Sequence, residues 1–240
     1  MSPKVNRRMA GPRTLCIDVG GTGIKVMVVT TTGKPLTKRA RVDTPHPATP
    51  KAMAKALKSI VPERGAYDRI SVGFPGVVID GVVKTAPNLH ASWAGFDLRG
   101  AIHRFTHRPT RVLNDAGVQG HGVIRGHGVE VCVTLGTGLG FSLFVDGRYV
   151  PNIELGHHPF RKGKTYEDEL GKKALARLGR KKWNRMLARA VDQIQRTFNP
   201  HVLYVGGGNS AKVDIELPPN VKLVQNVSGL LGGVRLWERQ

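Results

Sequence analysis

Short apolar runs rich in β-branched residues recur along the chain, separated by glycine, proline or Asp-Gly turns. Runs of this length and composition predict buried strands. They cover residues 14–18, 26–30, 38–42, 69–73, 110–113, 129–135, 141–145, 202–205 and 221–224. Apolar residues at helical spacing predict helices over 50–60, 101–107 and 183–198, and a last helix from Ser228. Strands that alternate with helices in this way predict an α/β fold.

Two glycine turns with the same Gly-Thr-Gly core occupy corresponding places in the two halves of the chain. The first glycine turn is residues 20–23, and the second glycine turn is residues 136–138. Unhindered backbone N–H groups in such turns can converge on phosphate oxygens, whereas either turn alone is equally typical of an ordinary hairpin. The repeat predicts two α/β lobes, residues 1–113 and 114–240, facing each other across a cleft. The last helix can pack back on the N-terminal lobe.

Side chains beside the two turns supply other groups that phosphate chemistry needs. Thr22 and Thr137 each offer a hydroxyl donor, and Lys25 can neutralise phosphate charge. Asp18 precedes the first glycine turn, where a carboxylate can hold Mg²⁺ directly or through water. Neither turn has the spacing of a P-loop or of a dinucleotide-binding turn.

A further polar pair, Asn114 and Asp115, follows the predicted strand over 110–113. The carboxyl ends of strands line the cleft of an α/β protein, so working residues are expected there. The aspartate can accept a hydroxyl proton during phosphoryl transfer while the asparagine orients the acceptor. The competing interpretation is that the aspartate only caps a helix.

Glu154, His157 and Glu167 lie in a stretch poor in regular structure. Glutamate and histidine side chains can bind vicinal hydroxyl groups, which a sugar presents. A metal site at His157 and His158 is not expected, because ligands at suitable spacing are lacking. His158 is predicted to be structural.

The chain carries a strong excess of positive charge. Its 37 Lys and Arg residues outnumber 17 Asp and Glu residues, giving a net charge of +20. Such a field attracts nucleic acid, an anionic membrane surface or a phosphate polymer, and the competing interpretation is a solvated basic surface. The basic runs are residues 34–41, 161–164 and 172–185.

Cys16 and Cys132 are the only cysteines of the 240 residues, and both lie in apolar strand-like runs. Buried free thiols are therefore predicted. No apolar run has the length of a membrane span, and the N-terminus lacks the apolar core of a secretion signal. We expect a cytoplasmic protein without a membrane partner.

With these motifs assembled, residues 15–233 resemble the ROK family of sugar kinases, which have the actin-like ATPase (ribonuclease H-like) fold. Within that family they resemble the polyphosphate glucokinases in particular. The matching segments are 18–25 and 134–140 for the two phosphate motifs, 205–208 for the glycines beside the nucleotide base, 112–116 for the catalytic aspartate, 151–157 for the sugar and 85–89 with Trp93 on the acceptor side.

The resemblance implies a kinase that transfers a phosphoryl group to the 6-hydroxyl of glucose or a related hexose, with Asp115 as general base. It implies that the sugar contacts Asn88, Asn114, Glu154, His157 and Glu167. The donor and its Mg²⁺ would contact Asp18, Gly20, Gly21, Thr22, Gly23, Lys25, Gly136, Thr137, Gly138, Gly206, Gly207 and Gly208. It also implies a homodimer, and nucleic acid is not an expected partner.

The chain departs from the wider family in two places. Many members carry a cysteine-rich zinc motif after the Glu-x-Gly-His segment, and this chain has no cysteine after Cys132, so no zinc site is expected. The region after Gly208 is short, which weakens the adenosine pocket and, with the net charge of +20, favours inorganic polyphosphate over ATP as donor.

The alternatives are an ATP-dependent kinase for mannose or N-acetylmannosamine, and a non-catalytic sugar-sensing or polyanion-binding protein. A ROK-type regulator would need a helix-turn-helix domain, for which the thirteen residues before Thr14 are too few.

Overall fold

The structure, a computed structural model, describes residues 11–224 and 229–238. The described strands are β1 (Thr14–Val19), β2 (Gly23–Val29), β3 (Ala40–Asp43), β4 (Arg69–Phe74), β5 (Val78–Ile79), β6 (Val82–Val83), β7 (Thr110–Asn114), β8 (Val129–Leu135), β9 (Leu139–Val145), β10 (Arg148–Val150), β11 (Pro159–Arg161), β12 (Lys164–Thr165), β13 (Val202–Gly206) and β14 (Val221–Leu223). The described helices are α1 (Pro50–Lys58), α2 (Leu98–Thr106), α3 (Asp115–His121), α4 (Tyr166–Leu170), α5 (Lys172–Phe198) and α6 (Gly229–Arg235). The predicted start of the last helix, Ser228, lies outside the described residues.

The first sheet has five strands in the order β3-β2-β1-β4-β7. Strands β1 and β2 form an antiparallel hairpin around the first glycine turn, and this pairing places Asp18 opposite Lys25. Strands β4 and β7 extend the sheet in parallel with β1. The carboxyl ends of β1, β4 and β7 therefore meet at one edge, which brings Asp18 and Asn114 to the same side of the sheet.

The second sheet repeats this arrangement with the order β10-β9-β8-β13-β14. Strands β8 and β9 form the antiparallel hairpin around the second glycine turn, while β13 and β14 run parallel to β8. The predicted α/β fold with two similar halves is thus confirmed. The exact boundary at residues 113 and 114 stays a prediction.

Each sheet has its own apolar core. The first contains Leu15, Ile24, Ile70, Phe74 and Trp93, all buried. The second is built on β8, β13 and α5, where the buried side chains of α5 include Trp183, Leu187, Ala190 and Ile194. The predicted apolar stripe of residues 183–198 is therefore core, as expected from its helical spacing.

Helix α5 is longer than the predicted segment and is interrupted. Gly179 has φ 72° and ψ 159°, values outside the helical region, so two helical segments meet there. This combination of a positive φ with an extended ψ is adopted essentially by glycine only, which explains why the helix is interrupted at this residue.

The last described helix lies against the first half of the chain. Added Cβ atoms at Gly232 and Gly233 would overlap the Val118 backbone and crowd the Cys16 side chain. Ser71 Oγ donates a hydrogen bond to the Gly233 carbonyl at 2.5 Å, and Trp237 Nε1 donates to Ser71 Oγ at 2.8 Å. Small residues thus let α6 approach α3 and β1 closely. Among the described residues, no helix combines the length and apolar character needed to span a bilayer.

Candidate active site

A cavity of about 790 Å³ lies between the two sheets and is lined from both halves of the chain. Such a cleft is the usual place for a small-molecule site. The lining includes most of the predicted site residues: Asp18, Gly20, Gly21, Thr22, Lys25, Asn88, Asn114, Asp115, Gly136, Thr137, Gly138, Glu154, His157, Glu167, Gly207 and Gly208.

Gly23 and Gly206 are predicted site residues that do not line this cavity. Both are buried in strands, Gly23 at the start of β2 and Gly206 at the end of β13. Gly23 instead closes the first glycine turn, because its carbonyl accepts the Gly20 N–H at 3.0 Å. Gly23 therefore supports the first glycine turn without lining the cavity itself.

The carbonyl groups of the first glycine turn are held by the adjoining part of the sheet. Thr44 Oγ1 donates to the Gly20 carbonyl at 2.6 Å, and Arg41 donates to the Thr22 carbonyl at 3.2 Å. Gly21 and Thr22 are exposed at the cavity. The turn is therefore fixed on its outer side and open towards the cleft.

The second glycine turn is held in the same manner by α5. The Lys172 N–H donates to the carbonyls of Gly136 at 3.0 Å and Thr137 at 3.1 Å. Asn209 Nδ2 also donates to the Gly136 carbonyl at 3.0 Å. With these carbonyls occupied by protein donors and Thr137 exposed, the turn is suited to bind an anion on its cleft side.

Gly207 joins the end of β13 to the second glycine turn. Its φ is +90°, and an added Cβ would lie 2.5 Å from the Leu135 carbonyl oxygen and 2.6 Å from the Leu135 nitrogen. Only glycine combines this backbone conformation with so close an approach. Gly207 and Gly208 are thereby brought to the cleft beside Gly136.

Asn114, rather than Asp115, is the N-cap of α3. Asn114 Oδ1 accepts hydrogen bonds from the N–H groups of Ala116 at 2.9 Å and Gly117 at 3.2 Å. The asparagine amide also donates to the Gly76 carbonyl at 3.2 Å and to Glu154 Oε1 at 3.1 Å. Asp115 is therefore not the N-cap, although its Oδ1 also accepts the Ala116 N–H at 2.8 Å. The direct contact of Asn114 with a sugar stays a prediction.

Asp115 lines the cleft, at the junction of β7 and α3. Burial raises the pKa of its carboxyl group to about 7, and the nearby negative charge of Asp18 adds to this effect. A carboxylate with a pKa close to neutral can take up a proton readily and is still ionised in a substantial fraction of the molecules near neutral pH. Asp115 thus has the properties of a general base.

Glu154 and Glu167 bring two more carboxylates to the cleft. Burial raises the pKa of Glu154, which Asn114 holds in place. Glu167, on α4, accepts the Leu139 N–H at 3.4 Å, and an added Cβ at Gly138 would overlap its carboxylate. The absence of a side chain at Gly138 therefore lets Glu167 reach the cleft.

His157 and Asn88 complete the predicted acceptor side. His157 belongs to a short 3₁₀ turn, Leu155–His157, and its side chain is exposed at the cavity. Asn88 is also exposed and lines the cavity from the first half of the chain. Carboxylates, an imidazole and an amide that converge on one cavity can bind the hydroxyl groups of a sugar.

Arg39 and Gln119 carry long polar side chains and line the cleft, although neither was among the predicted site residues. Arg39 lines the cavity from the basic run 34–41, whose charge alone did not single it out. Gln119 lies four residues after Asp115 on α3. That spacing puts the two side chains on one face of the helix, so the sequence could have predicted Gln119 as a cleft residue from the prediction of Asp115.

A bound Mg²⁺ is compatible with these residues. Asp18 pairs with Lys25 Nζ at 2.9 Å, and its charge raises the pKa of Asp115, so two carboxylates lie close together in one cleft. Mg²⁺ in kinases is held by one or two carboxylates together with water and substrate phosphates. The described residues contain no group of three or more His, Cys, Asp and Glu side chains arranged to hold a metal by themselves.

The chain has two similar α/β halves with a glycine turn in each, and carboxylates line the cleft between them. This arrangement defines an actin-like sugar kinase fold. The sequence model of the ROK family matches residues 14–168, and the chain belongs to this family. Polyphosphate glucokinase from Mycobacterium tuberculosis (strain H37Rv) is 34% identical over 237 residues, which cover 90% of this chain and 88% of that protein.

One solved structure and one further sequence relative are also similar to this chain. The inorganic polyphosphate/ATP-glucomannokinase from Arthrobacter sp. strain KM is 31% identical and superimposes with a TM-score of 0.84, covering 95% of this chain and all of the other. N-acetylmannosamine kinase from Escherichia coli O6:H1 is 27% identical over 146 residues, which cover 58% of this chain and 50% of that protein.

Proposed function

We propose that the protein is a glucokinase that transfers the terminal phosphoryl group of inorganic polyphosphate to the 6-hydroxyl of glucose, with ATP as a second donor. The observation that carries this proposal is Asp115, a carboxylate whose pKa is raised to about 7, in a cleft that also contains both glycine turns. The choice of substrates is supported by two relatives, one named polyphosphate glucokinase and the other polyphosphate/ATP-glucomannokinase.

In the proposed reaction Asp115 accepts the proton of the sugar 6-hydroxyl. The sugar oxygen forms a bond to the terminal phosphorus, and the bond from that phosphorus to the bridging oxygen breaks. The products are glucose 6-phosphate, a polyphosphate shortened by one phosphate, and protonated Asp115. The protein supplies mainly position and electrostatic stabilisation, as expected for phosphoryl transfer.

The acceptor is proposed to lie among Glu154, His157, Glu167 and Asn88, and the donor phosphates against the two glycine turns and Lys25. Mg²⁺, held by Asp18 directly or through water, would neutralise charge on the donor oxygens. Asn114 supports the acceptor side because it ties Glu154 to the start of α3.

Two further expectations accompany this proposal, a cytoplasmic location and a homodimer. Both are supported by the resemblance to ROK sugar kinases. Light scattering of the purified protein, which gives its molar mass in solution, tests the dimer. A mass near 26.1 kDa would contradict it.

Initial rates in a coupled assay test the substrates. The panel combines glucose, mannose and N-acetylmannosamine with polyphosphate or ATP, each over a salt series. We expect the highest kcat/KM with glucose and polyphosphate, and a salt dependence that is steeper for polyphosphate because it carries more charge. Turnover with ATP but none with polyphosphate would refute the donor, and a preference for N-acetylmannosamine would refute the acceptor.

The Asp115→Asn variant tests the mechanism. Removal of a general base lowers rates by about 10²–10⁴-fold, so we expect a fall of that size in kcat with glucose binding largely kept. Normal turnover by this variant would remove Asp115 from the reaction.

A further inference from the structure

A second cavity, of about 470 Å³, adjoins the cleft and shares Asn88, Thr137 and Glu167 with it. We call it the basic pocket, because three of its other lining residues are cations: Lys164, Lys173 and Arg177. Thr137 is part of the second glycine turn, so the basic pocket begins beside the proposed donor phosphates.

A buried carboxylate holds two of these cations in place. The Glu169 side chain is only 3% exposed and pairs with Lys164 Nζ at 3.3 Å and Arg177 Nη2 at 3.2 Å. Their own side chains remain 46% and 47% exposed, so both can also reach an anion in the pocket. The exposed Asp168 also lines the pocket, but its carboxylate already accepts the Thr165 N–H at 2.9 Å.

The positive charge continues along α5 beyond Gly179. Lys181, Arg185 and Arg189 are exposed and spaced four residues apart, which puts them on one face of the helix over about 12 Å. We call these three residues the cationic face. The opposite face of the segment, with Trp183 and Leu187, is buried in the core.

This arrangement does not serve the stability of the helix. Like charges four residues apart repel one another and destabilise a helix. Residues 161–189 contain eleven Lys and Arg but only three Asp and Glu. A polyanion bound along the helix would remove the repulsion, and it would account for the spacing.

The kind of polyanion follows from what this surface lacks. Sites for single-stranded nucleic acid combine cations with aromatic side chains on which bases stack. Across residues 161–189, all of which the structure describes, the aromatic residues Tyr166 and Trp183 are buried. Charged side chains without a stacking surface suit a polymer of phosphate alone.

We propose that the basic pocket and the cationic face of α5 bind the non-reacting part of a long polyphosphate chain whose end lies in the cleft. This inference rests on the proposed donor, and it adds that affinity depends on chain length. Tripolyphosphate would occupy the cleft only, whereas a long polymer would also contact α5.

The test compares binding of a long polyphosphate and of tripolyphosphate by titration calorimetry, over a salt series and without glucose. The variant is Lys181→Gln/Arg185→Gln, and a second variant, Lys173→Gln, alters the basic pocket. The matched control is Lys51→Gln/Lys55→Gln, which removes two exposed charges from α1.

We expect the Lys181→Gln/Arg185→Gln variant to bind the long polymer more weakly and its log–log salt slope to fall by about 2, one for each lost phosphate contact. Its affinity for tripolyphosphate should not change, and the control should bind both ligands like the unaltered protein. Lys173→Gln should also weaken long-chain binding more than tripolyphosphate binding.

Three results would overturn the inference. The first is unchanged long-chain binding in both variants, and the second is an equal loss in the α1 control, which would indicate a general charge effect. The third is equally tight, α5-dependent binding of single-stranded DNA. Calorimetry needs no turnover, so it separates this inference from the proposed donor. If the protein bound long polyphosphate through α5 but never transferred its phosphate, the proposed donor would be refuted and the binding surface on α5 would still be supported.

Discussion

The side-chain amide of Asn114 links the first turn of α3 to the carboxylate of Glu154. Its oxygen caps the helix that begins with Asp115, while its nitrogen donates to Glu154 Oε1 at 3.1 Å. All of its hydrogen-bonding positions are used within the protein. One residue therefore fixes the relative position of the proposed base and of a proposed sugar ligand.

Asn114→Ala should damage both stability and sugar binding. Loss of an N-cap costs about 1 kcal/mol of the free energy of unfolding. Because Glu154 also loses its donor, we expect the KM for glucose to rise as well. Denaturation curves and KM for glucose measure the two effects.

Thr49→Ala is the matched control, since Thr49 Oγ1 caps α1 by accepting the Ala52 N–H at 3.3 Å, away from the cleft. It should lose a similar amount of stability with no change in KM. An equal rise of KM in both variants would mean that Asn114 acts only through stability.

The raised pKa of Asp115 predicts the pH dependence of the reaction. Only the ionised carboxylate can accept the hydroxyl proton, so kcat/KM should fall about tenfold per pH unit below about 7 and level off above it. Initial rates at low glucose concentration from pH 5 to pH 9 test this, with circular dichroism to exclude unfolding. A profile that is flat through pH 6 to 8 would contradict the assignment.

The repeat of strand, glycine turn and strand was enough to predict much of the fold. The residues between the strands are small and unhindered in both halves, and the apolar runs beside them are long enough to be buried. Asp80-Gly81 and Asp146-Gly147, which separate paired strands, both have positive φ at their two residues, as two-residue hairpin turns require.

What the sequence did not predict depends on packing between distant segments. Asn114 is the N-cap of α3, and its amide is also held by Gly76 and Glu154, which contact it from two other parts of the chain. Arg39, which directly precedes the edge strand β3, lines the cleft opposite residues from the second half of the chain. Gly23 belongs to the first phosphate motif but does not line the cleft, and its carbonyl instead accepts the Gly20 N–H that closes the turn.

Gly138→Ala should impair the acceptor side through Glu167. The added methyl group would overlap the Glu167 carboxylate, and because this is the far end of a flexible side chain, it can turn away at little cost in the free energy of unfolding. We expect a higher KM for glucose, because Glu167 must move away from its present position.

Gly136→Ala, in the same turn, provides the comparison, because no other atom lies within 4 Å of its added Cβ. Its effect should fall on the KM for the donor, without a change in the KM for glucose. If both variants raised only the donor KM, Glu167 would have no part in sugar binding.

Asp115→Asn should make the protein more stable at alkaline pH while it lowers kcat by about 10²–10⁴-fold. The pKa of Asp115 in the folded protein, about 7, lies above its ordinary value, so its favourable contribution to stability is complete only below that ordinary value. The contribution is lost as the pH rises through about 7, where the carboxylate ionises beside Asp18. Asparagine is neutral throughout, so the variant should be more stable than the unaltered protein at pH 8, by a few kcal/mol at most, and nearly equal to it near pH 4.

Denaturation at pH 4 and pH 8, without Mg²⁺ or substrates, measures this difference. Asp192→Asn makes the same chemical change at an exposed residue of α5, where Asp192 pairs with Arg196 at 2.9 Å, and it should give no gain at pH 8. If only Asp115→Asn raises the free energy of unfolding at pH 8, and turnover falls, then the ionised base in the cleft destabilises the unaltered protein. Equal stability of the variant and the unaltered protein at pH 8 would show that Asp115 is not strained by its ionisation, and the pH profile of the rate would then need another titrating group.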